Sequence, residues 1–134
     1  MLAVRQSFNR AKHAGFAHHF YELLLASSPS IRSRFSQTQF EKQRELLIHG
    51  VYSMLDFAEG KALGTLAIER LSKTHGPHGW NVTPAMLDKW LSCFLMTLRA
   101  CDPEFSEELA TAWRAALVPG LERLGAAFKQ AASG

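Results

Sequence analysis

Apolar side chains recur at intervals of three and four positions along most of the chain, which is the period of an amphipathic helix. The run that begins at Phe16 shows the pattern, with Phe20, Leu23 and Leu24 on one face. No stretch alternates apolar and polar residues with period two, so strands are not expected. The pattern predicts an all-α fold of about seven helices, over residues 2–13, 16–27, 31–35, 40–58, 62–74, 84–100 and a last helix from Asp102-Pro103 to Phe128.

Several predicted helix ends coincide with residues that interrupt or begin a helix. Ser28-Pro29 is expected to stop the second helix. Thr83-Pro84 and Asp102-Pro103 each combine an N-cap residue with a proline at the first helical position, so each is expected to begin a helix. Pro119 is expected to kink the last helix. Because no internal repeat is present, the sequence predicts one globular domain over residues 1–134.

Composition and charge indicate a globular protein and do not favour a nucleic-acid-binding or membrane protein. A chain of 134 residues, 47% hydrophobic and 20% charged, can bury a substantial core. Fifteen Lys and Arg against twelve Asp and Glu give a net charge of +3, which is spread along the chain and does not favour binding to nucleic acid. The N-terminal residues lack the apolar core of a signal peptide, and no run approaches the roughly 20 apolar residues of a membrane span. A cytoplasmic protein is therefore expected.

The two cysteines, Cys93 and Cys101, fall in one predicted helix. At 1.5 Å per residue they lie about 12 Å apart, which is beyond disulfide reach. We expect both to be buried free thiols, in keeping with a reducing compartment.

His75 is the polar residue whose position is most unusual. The Cys and His spacings of zinc sites and the Gly-x-Ser-x-Gly motif of hydrolases are absent from the sequence. His75 ends a predicted helix whose face carries Ile68 and Leu71, and a glycine-rich turn follows it. Taken alone, such a histidine is typical of a helix C-terminus, where the imidazole interacts with the helix dipole. The remaining histidines outside that turn are expected at the surface or at its boundary with the core: His13, His18, His19 and His49.

Short motifs along the chain match the order of a known family. They are Phe20-Tyr21 with Pro29 and Phe35, Gln43 with Leu47, Leu71 with His75, and Val82-Thr83-Pro84. In this order they resemble the globin family, in particular bacterial single-domain globins and the haem domain of flavohaemoglobins. The resemblance extends from Phe16 to Leu124, which is nearly the whole chain.

The resemblance implies a globin fold packed around a haem (iron protoporphyrin IX). It implies that His75 is the axial iron ligand and that Tyr21 and Gln43 donate hydrogen bonds to a diatomic ligand on the opposite face. It also implies apolar walls for the macrocycle from Phe35, Leu47, Leu71, Val82 and Leu87. Within the glycine-rich turn, His78 stays open as an alternative axial ligand or a contact to a haem propionate, and Trp80 as a shield for a haem edge.

The chemistry of these residue types agrees with the resemblance. A haem iron takes a neutral imidazole whose second nitrogen donates to a nearby carbonyl, and the end of a helix offers unpaired carbonyls. A phenol and an amide in a dry pocket donate hydrogen bonds to polar dioxygen and so favour it over carbon monoxide. The expected ligands are dioxygen, nitric oxide and carbon monoxide.

The chain departs from the flavohaemoglobin pattern around His75. Flavohaemoglobins have a tyrosine after the loop that follows this histidine and a glutamate in the last helix, and the two polarise the imidazole. Here Leu87 stands at the first place, and no glutamate stands out at the second. The loop between His75 and Val82 is also longer than in flavohaemoglobins. Since no flavin or nicotinamide motif is present, redox turnover would need a separate reductase.

Three functions are consistent with these features. The first is gas transport, storage or nitric oxide detoxification by a haem globin. The second is a haem-based sensor that signals through a helical dimer face, which a shift of oligomeric state on ligation would favour. The third is a haem-free helical interaction module, which would be colourless after purification. One pocket can serve more than one of these roles, and both a monomer and a homodimer are compatible with the sequence.

Overall fold

A computed structural model describes the backbone of residues 1–75 and 82–133, and the side chains of residues 1–75 and 82–126. Within those ranges the chain forms seven α-helices and no strand, which confirms the all-α prediction. In the same ranges, no helix combines the length and the apolar character needed to cross a bilayer. The helices are α1 Leu2–His13, α2 Phe16–Ser27, α3 Pro29–Arg34, α4 Phe40–Ala58, α5 Ala62–His75, α6 Pro84–Cys101 and α7 Glu107–Ser133.

The two cap-and-proline signals have different outcomes. Thr83 Oγ1 accepts a hydrogen bond from Met86 N at 3.2 Å, and Pro84 begins α6, as predicted. The prediction that the last helix begins at Asp102-Pro103 is wrong, because α7 begins at Glu107. The side chain of Asp102 is committed to a different set of hydrogen bonds.

The buried carboxylate of Asp102 connects α1 to the end of α6. It accepts hydrogen bonds from Arg10 Nε at 2.7 Å and from Ser7 Oγ at 2.6 Å. The Ser7 oxygen in turn accepts one from Trp113 Nε1 of α7 at 3.0 Å. Burial acts to raise the pKa of Asp102, but the hydrogen bonds from Arg10, Ser7 and the Glu104 amide together lower it. The carboxylate therefore joins three helices instead of capping one.

The other predicted helix ends agree closely with the structure. α3 begins at Pro29 instead of Ile31, because the Ser28 hydroxyl accepts a hydrogen bond from Ile31 N at 3.4 Å. Ser28-Pro29 thus begins α3 as well as ending α2. Pro119 lies inside α7, which continues as a helix beyond it, so the kink stays a prediction.

An aromatic cluster shared by α1, α2, α6 and α7 forms the core. The ring of Phe94 lies 4.8 Å from that of Phe16, 6.4 Å from that of Phe8 and 5.2 Å from that of Trp113, measured between centroids. All four side chains are fully buried. Large aromatic side chains bury much apolar surface each, so this cluster is a main source of stability.

α4 and α5 form a hairpin joined by residues 59–61. Gly60 has a φ of 75°, in the left-handed region that favours glycine, and it ends α4. A Cβ atom added to Gly64 of α5 would lie 2.5 Å from Phe57 N of α4. The two helix backbones therefore touch near the closed end of the hairpin, where only glycine fits.

Candidate functional site

Tyr21 lies on the buried face of α2, with 6% of its surface exposed. Its ring meets the rings of Phe35 and Phe40 edge to face, at centroid distances of 5.7 and 5.6 Å. Phe35 follows α3 and Phe40 begins α4, so two further elements fix the orientation of the tyrosine. The phenol is thereby held against the first turn of α4.

The Tyr21 hydroxyl and the Gln43 side chain form a hydrogen-bonded pair. Gln43 Nε2 donates to the Tyr21 oxygen at 3.1 Å. The Tyr21 hydroxyl donates to the main-chain oxygen of Gln43 at 3.5 Å, which is longer than an ordinary O–H···O bond. Burial raises the pKa of Tyr21 to about 12, while the Gln43 hydrogen bond acts to lower it. The hydroxyl therefore keeps its proton at neutral pH and stays a donor.

Leu47 lies one helical turn beyond Gln43 on α4, so the two side chains share a face. Leu47 is buried, with 7% of its surface exposed, and Gln43 is half-buried. The face thus presents one amide next to an aliphatic side chain. Such a surface can donate one hydrogen bond while the rest of it stays apolar.

His75 is the last residue of α5, and two oxygen atoms of that helix hold its ring. Nδ1 lies 2.9 Å from the Leu71 carbonyl oxygen and 3.0 Å from Thr74 Oγ1. Because the carbonyl can only accept, we assign the imidazole proton to Nδ1. The lone pair of the neutral ring then lies on Nε2, which is the form in which histidine binds a metal.

Electrostatics favour the neutral form of this imidazole. Burial lowers the pKa of His75 below its ordinary value of 6.5, and the hydrogen bond to the Leu71 carbonyl acts in the opposite direction. The ring is therefore uncharged at neutral pH and can act as a ligand without first losing a proton.

The residues singled out from the sequence form two groups. The α2–α4 group is Tyr21, Phe35, Gln43 and Leu47, and the α5 group is Leu71, His75 and Val82. Val82 N donates to the His75 carbonyl oxygen at 2.9 Å, which brings the chain before α6 back to the end of α5. Leu87 of α6 is half-buried and lies beside Gly125 of α7.

The two groups lie toward the same end of the α4–α5 hairpin. Gln43 is in the first turn of α4 and His75 is the last residue of α5, while Gly60 marks the closed end. Because helices joined by a short connection run in opposite directions, Gln43 and His75 both lie toward the open end. One end of the hairpin thus carries a neutral imidazole on one helix and a phenol–amide pair against the other.

Comparisons with known proteins identify the family. The model of the family described as Globin matches residues 18–118. The chain belongs to the globin family. A crystal structure of protein PA3967 from Pseudomonas aeruginosa PAO1, described as structurally highly homologous to a human hemoglobin, is similar to this globin. The TM-score is 0.90 and the sequence identity 29%, over 94% of this chain and 95% of that protein. No curated protein sequence matches this globin.

The family prediction made from short motifs is thus confirmed, while the roles of individual residues in this globin stay predictions. His78, Trp80 and the length of their loop lie outside the described residues. The histidines expected at the surface or its boundary are all exposed: His13, His18, His19 and His49.

Sequence reasoning misses two residues of the site, Phe40 and Thr74. Phe40 lies three residues before Gln43, and this helical spacing could have placed it on the same face. The Thr74 contact with His75 Nδ1 has no comparable signal, because neighbouring residues on a helix point in different directions.

Proposed function

We propose that this globin binds haem through His75 and holds a diatomic gas beside Tyr21 and Gln43. One observation carries the proposal: an imidazole fixed through Nδ1 and a hydrogen-bonded phenol–amide pair lie toward the same end of the α4–α5 hairpin. Haem, when bound, would supply an iron atom that can bind a diatomic gas. A neutral imidazole and two uncharged donors among apolar side chains are the residue types that suit such a group.

His75 would hold the haem iron through Nε2. Both described partners of Nδ1, the Leu71 carbonyl and Thr74 Oγ1, are uncharged. They orient the ring. Because an uncharged oxygen is a weaker acceptor for the Nδ1 proton than a carboxylate, the imidazole stays a neutral ligand.

The apolar walls proposed for the macrocycle are buried or half-buried side chains: Phe35, Leu47, Leu71, Val82 and Leu87. The first two adjoin the Tyr21–Gln43 pair, and the next two adjoin His75. For Leu87 the support is the family resemblance alone. Apolar surroundings exclude water and so strengthen the hydrogen bonds that Tyr21 and Gln43 make.

Tyr21 is the donor best placed to turn toward a gas. Gln43 Nε2 already donates to its oxygen at 3.1 Å, whereas the bond from the Tyr21 hydroxyl to a carbonyl is long, at 3.5 Å. A polar ligand beside the phenol would therefore compete well for its proton. Dioxygen and nitric oxide are the ligands we propose. Carbon monoxide is expected to bind with less help from the phenol.

The physiological role that we propose is dioxygen transport or storage, or nitric oxide detoxification with a separate reductase as electron donor. We also propose a cytoplasmic location. Cys93 and Cys101 are buried free thiols, as predicted from their spacing, and free thiols suit a reducing compartment.

The decisive experiment is a haem titration followed by visible absorption. The wild type is expected to take up one haem per chain with an intense Soret band. His75→Ala should bind haem at least about tenfold more weakly, because it loses the axial bond. His49→Ala, which removes an exposed histidine of α4, is the matched control and should bind as the wild type does.

A rescue separates the loss of a ligand from the loss of the fold. His75→Gly should regain a wild-type-like band when free imidazole is added, because imidazole can fill the place of the missing side chain. An unchanged band in His75→Ala would remove His75 as the ligand. A wild type that never takes up haem would favour the haem-free interaction module.

A further inference from the structure

A cleft of about 400 Å³ opens to solvent on the outer side of the α3–α4 corner. Its walls come from the end of α2, from α3 and the residues just after it, and from the first residue of α4, and they are mostly apolar. The lining residues are Leu25, Pro29, Arg32, Ser33, Phe35, Ser36 and Phe40. Its volume lies within the range of small-molecule sites, which is roughly 300–1,000 Å³.

The back of the cleft is aromatic and rigid. The rings of Phe35 and Phe40 stack on each other, with centroids 6.1 Å apart and an angle of 28° between their planes. Both rings also pack edge to face against the buried ring of Tyr21. The wall is therefore fixed from behind and needs no rearrangement to receive a flat apolar group.

The rim carries a cation that pairs with nothing in the described part of the chain. Arg32 is exposed, and no carboxylate among the described residues lies within ion-pair distance of it. Arg10 and Arg123 do have such partners, Asp102 and Glu69, whereas Arg70 has none among the described residues and does not line this cleft. A guanidinium presents two parallel N–H groups that match a carboxylate, so the rim is complementary to one anionic group.

We propose that this cleft binds a small aromatic monocarboxylate, with its ring against Phe35 and Phe40 and its carboxylate on Arg32. The cleft shares Phe35 with the proposed haem wall, but its ligand would also contact Phe40 and Arg32, to which no haem contact is assigned, so the proposal goes beyond haem binding. With one ion pair at the rim and one ring contact, we expect a dissociation constant on the order of 1 mM.

The test is a titration of the ¹⁵N-labelled protein, as purified, with phenylacetate, followed by its backbone amide shifts. We expect saturable shifts confined to residues of α3 and the α3–α4 corner. Phenylacetamide has the same ring and no charge, so it should bind at least about tenfold more weakly if the carboxylate is recognised. Equal binding of the two compounds, or no saturable shift with phenylacetate, would overturn the proposal.

Three variants locate the site. Arg32→Gln should weaken phenylacetate binding by about tenfold, because it removes the charged partner. Arg70→Gln is the matched control: it removes another exposed arginine, on α5, and should change nothing. Ser33→Phe places a bulky side chain at the exposed rim and should block the cleft without loss of melting temperature. If Arg32→Gln and Arg70→Gln bind alike, the guanidinium is not the anchor and the proposal is wrong.

Discussion

At the residue scale, the Gln43 amide orients the hydroxyl of Tyr21. Gln43 Nε2 donates to the phenol oxygen, and this fixes the oxygen while leaving the phenol proton able to turn. Burial keeps that proton in place by raising the pKa of Tyr21 to about 12. Under the proposed function, Gln43 positions the phenol and Tyr21 donates the hydrogen bond to the ligand.

We predict that Tyr21→Phe releases dioxygen faster than the wild type. The variant keeps the ring contacts with Phe35 and Phe40 but loses the hydroxyl. Losing one buried donor costs on the order of 1 kcal/mol or more, which corresponds to a rate at least about fivefold higher. Stopped-flow measurement of dioxygen dissociation from the reduced, haem-loaded protein provides the test.

Tyr52→Phe is the matched control for this prediction. The Tyr52 hydroxyl bonds to Lys12, between α4 and α1, and has no described contact with Gln43. Its removal should leave the dissociation rate unchanged. Equal rates for Tyr21→Phe and the wild type would place Tyr21 outside the ligand pocket.

The sequence could indicate the residue types of this site but not all of their contacts. Tyr21, Gln43 and His75 stand in motifs whose spacing is set by the helices that carry them. The contact of Thr74 with the imidazole depends on a side-chain torsion at the end of α5, which no periodic pattern encodes. A hydrogen-bond partner that depends on a side-chain rotamer therefore cannot be predicted from the sequence pattern.

At the scale of elements, Asp102 shows how tertiary contacts override a local signal. Asp102-Pro103 has the composition of a helix start, yet α7 begins at Glu107, where Ser106 Oγ accepts a hydrogen bond from Leu109 N. Arg10 and Ser7, both on α1, take the carboxylate instead. These partners are more than ninety residues away in the chain, so no local pattern could reveal them.

We predict that Asp102→Asn lowers the free energy of unfolding by about 2 kcal/mol at neutral pH, because Arg10 loses its buried charged partner and keeps only the exposed Glu104. The pKa of Asp102 is lower in the folded protein than its ordinary value of 3.8. Its stabilising effect is therefore present above that value and is lost as the pH falls through the folded pKa. Urea denaturation at neutral pH and near pH 3 should show the difference between wild type and variant shrinking in acid.

Asp88→Asn is the control for this pH effect. Asp88 is an exposed carboxylate of α6, and its substitution should change the stability little at either pH. If the difference between Asp102→Asn and the wild type is the same in acid as at neutral pH, the carboxylate charge is not the stabilising feature.

At the scale of the whole molecule, the helices differ in how much core they bury. α6 buries Cys93, Phe94, Leu95, Thr97, Leu98 and Cys101, whereas α5 buries Gly64, Ile68 and Ser72. On α5, Leu63 and Leu66 are 78% and 56% exposed. The apolar stripe read from the sequence predicts α5 correctly as a helix, but it does not show how little of that helix the protein covers. The burial of a helix depends on which other helices pack against it, and the periodicity of its own sequence does not contain that information.

This uneven burial predicts that α5 opens before α6 in the haem-free protein. A helix with one large buried side chain loses little apolar contact when it opens, while opening α6 exposes the aromatic cluster around Phe94. In native-state hydrogen exchange of the haem-free protein, amides of α5 should therefore exchange through an opening of lower free energy than those of α6. Addition of haem should slow exchange in α5 more than in α6, since His75 would tie the end of α5 to the bound group. Equal opening free energies for the two helices before haem is added would contradict this distribution of stability, and equal slowing of both afterwards would argue against a bond at His75.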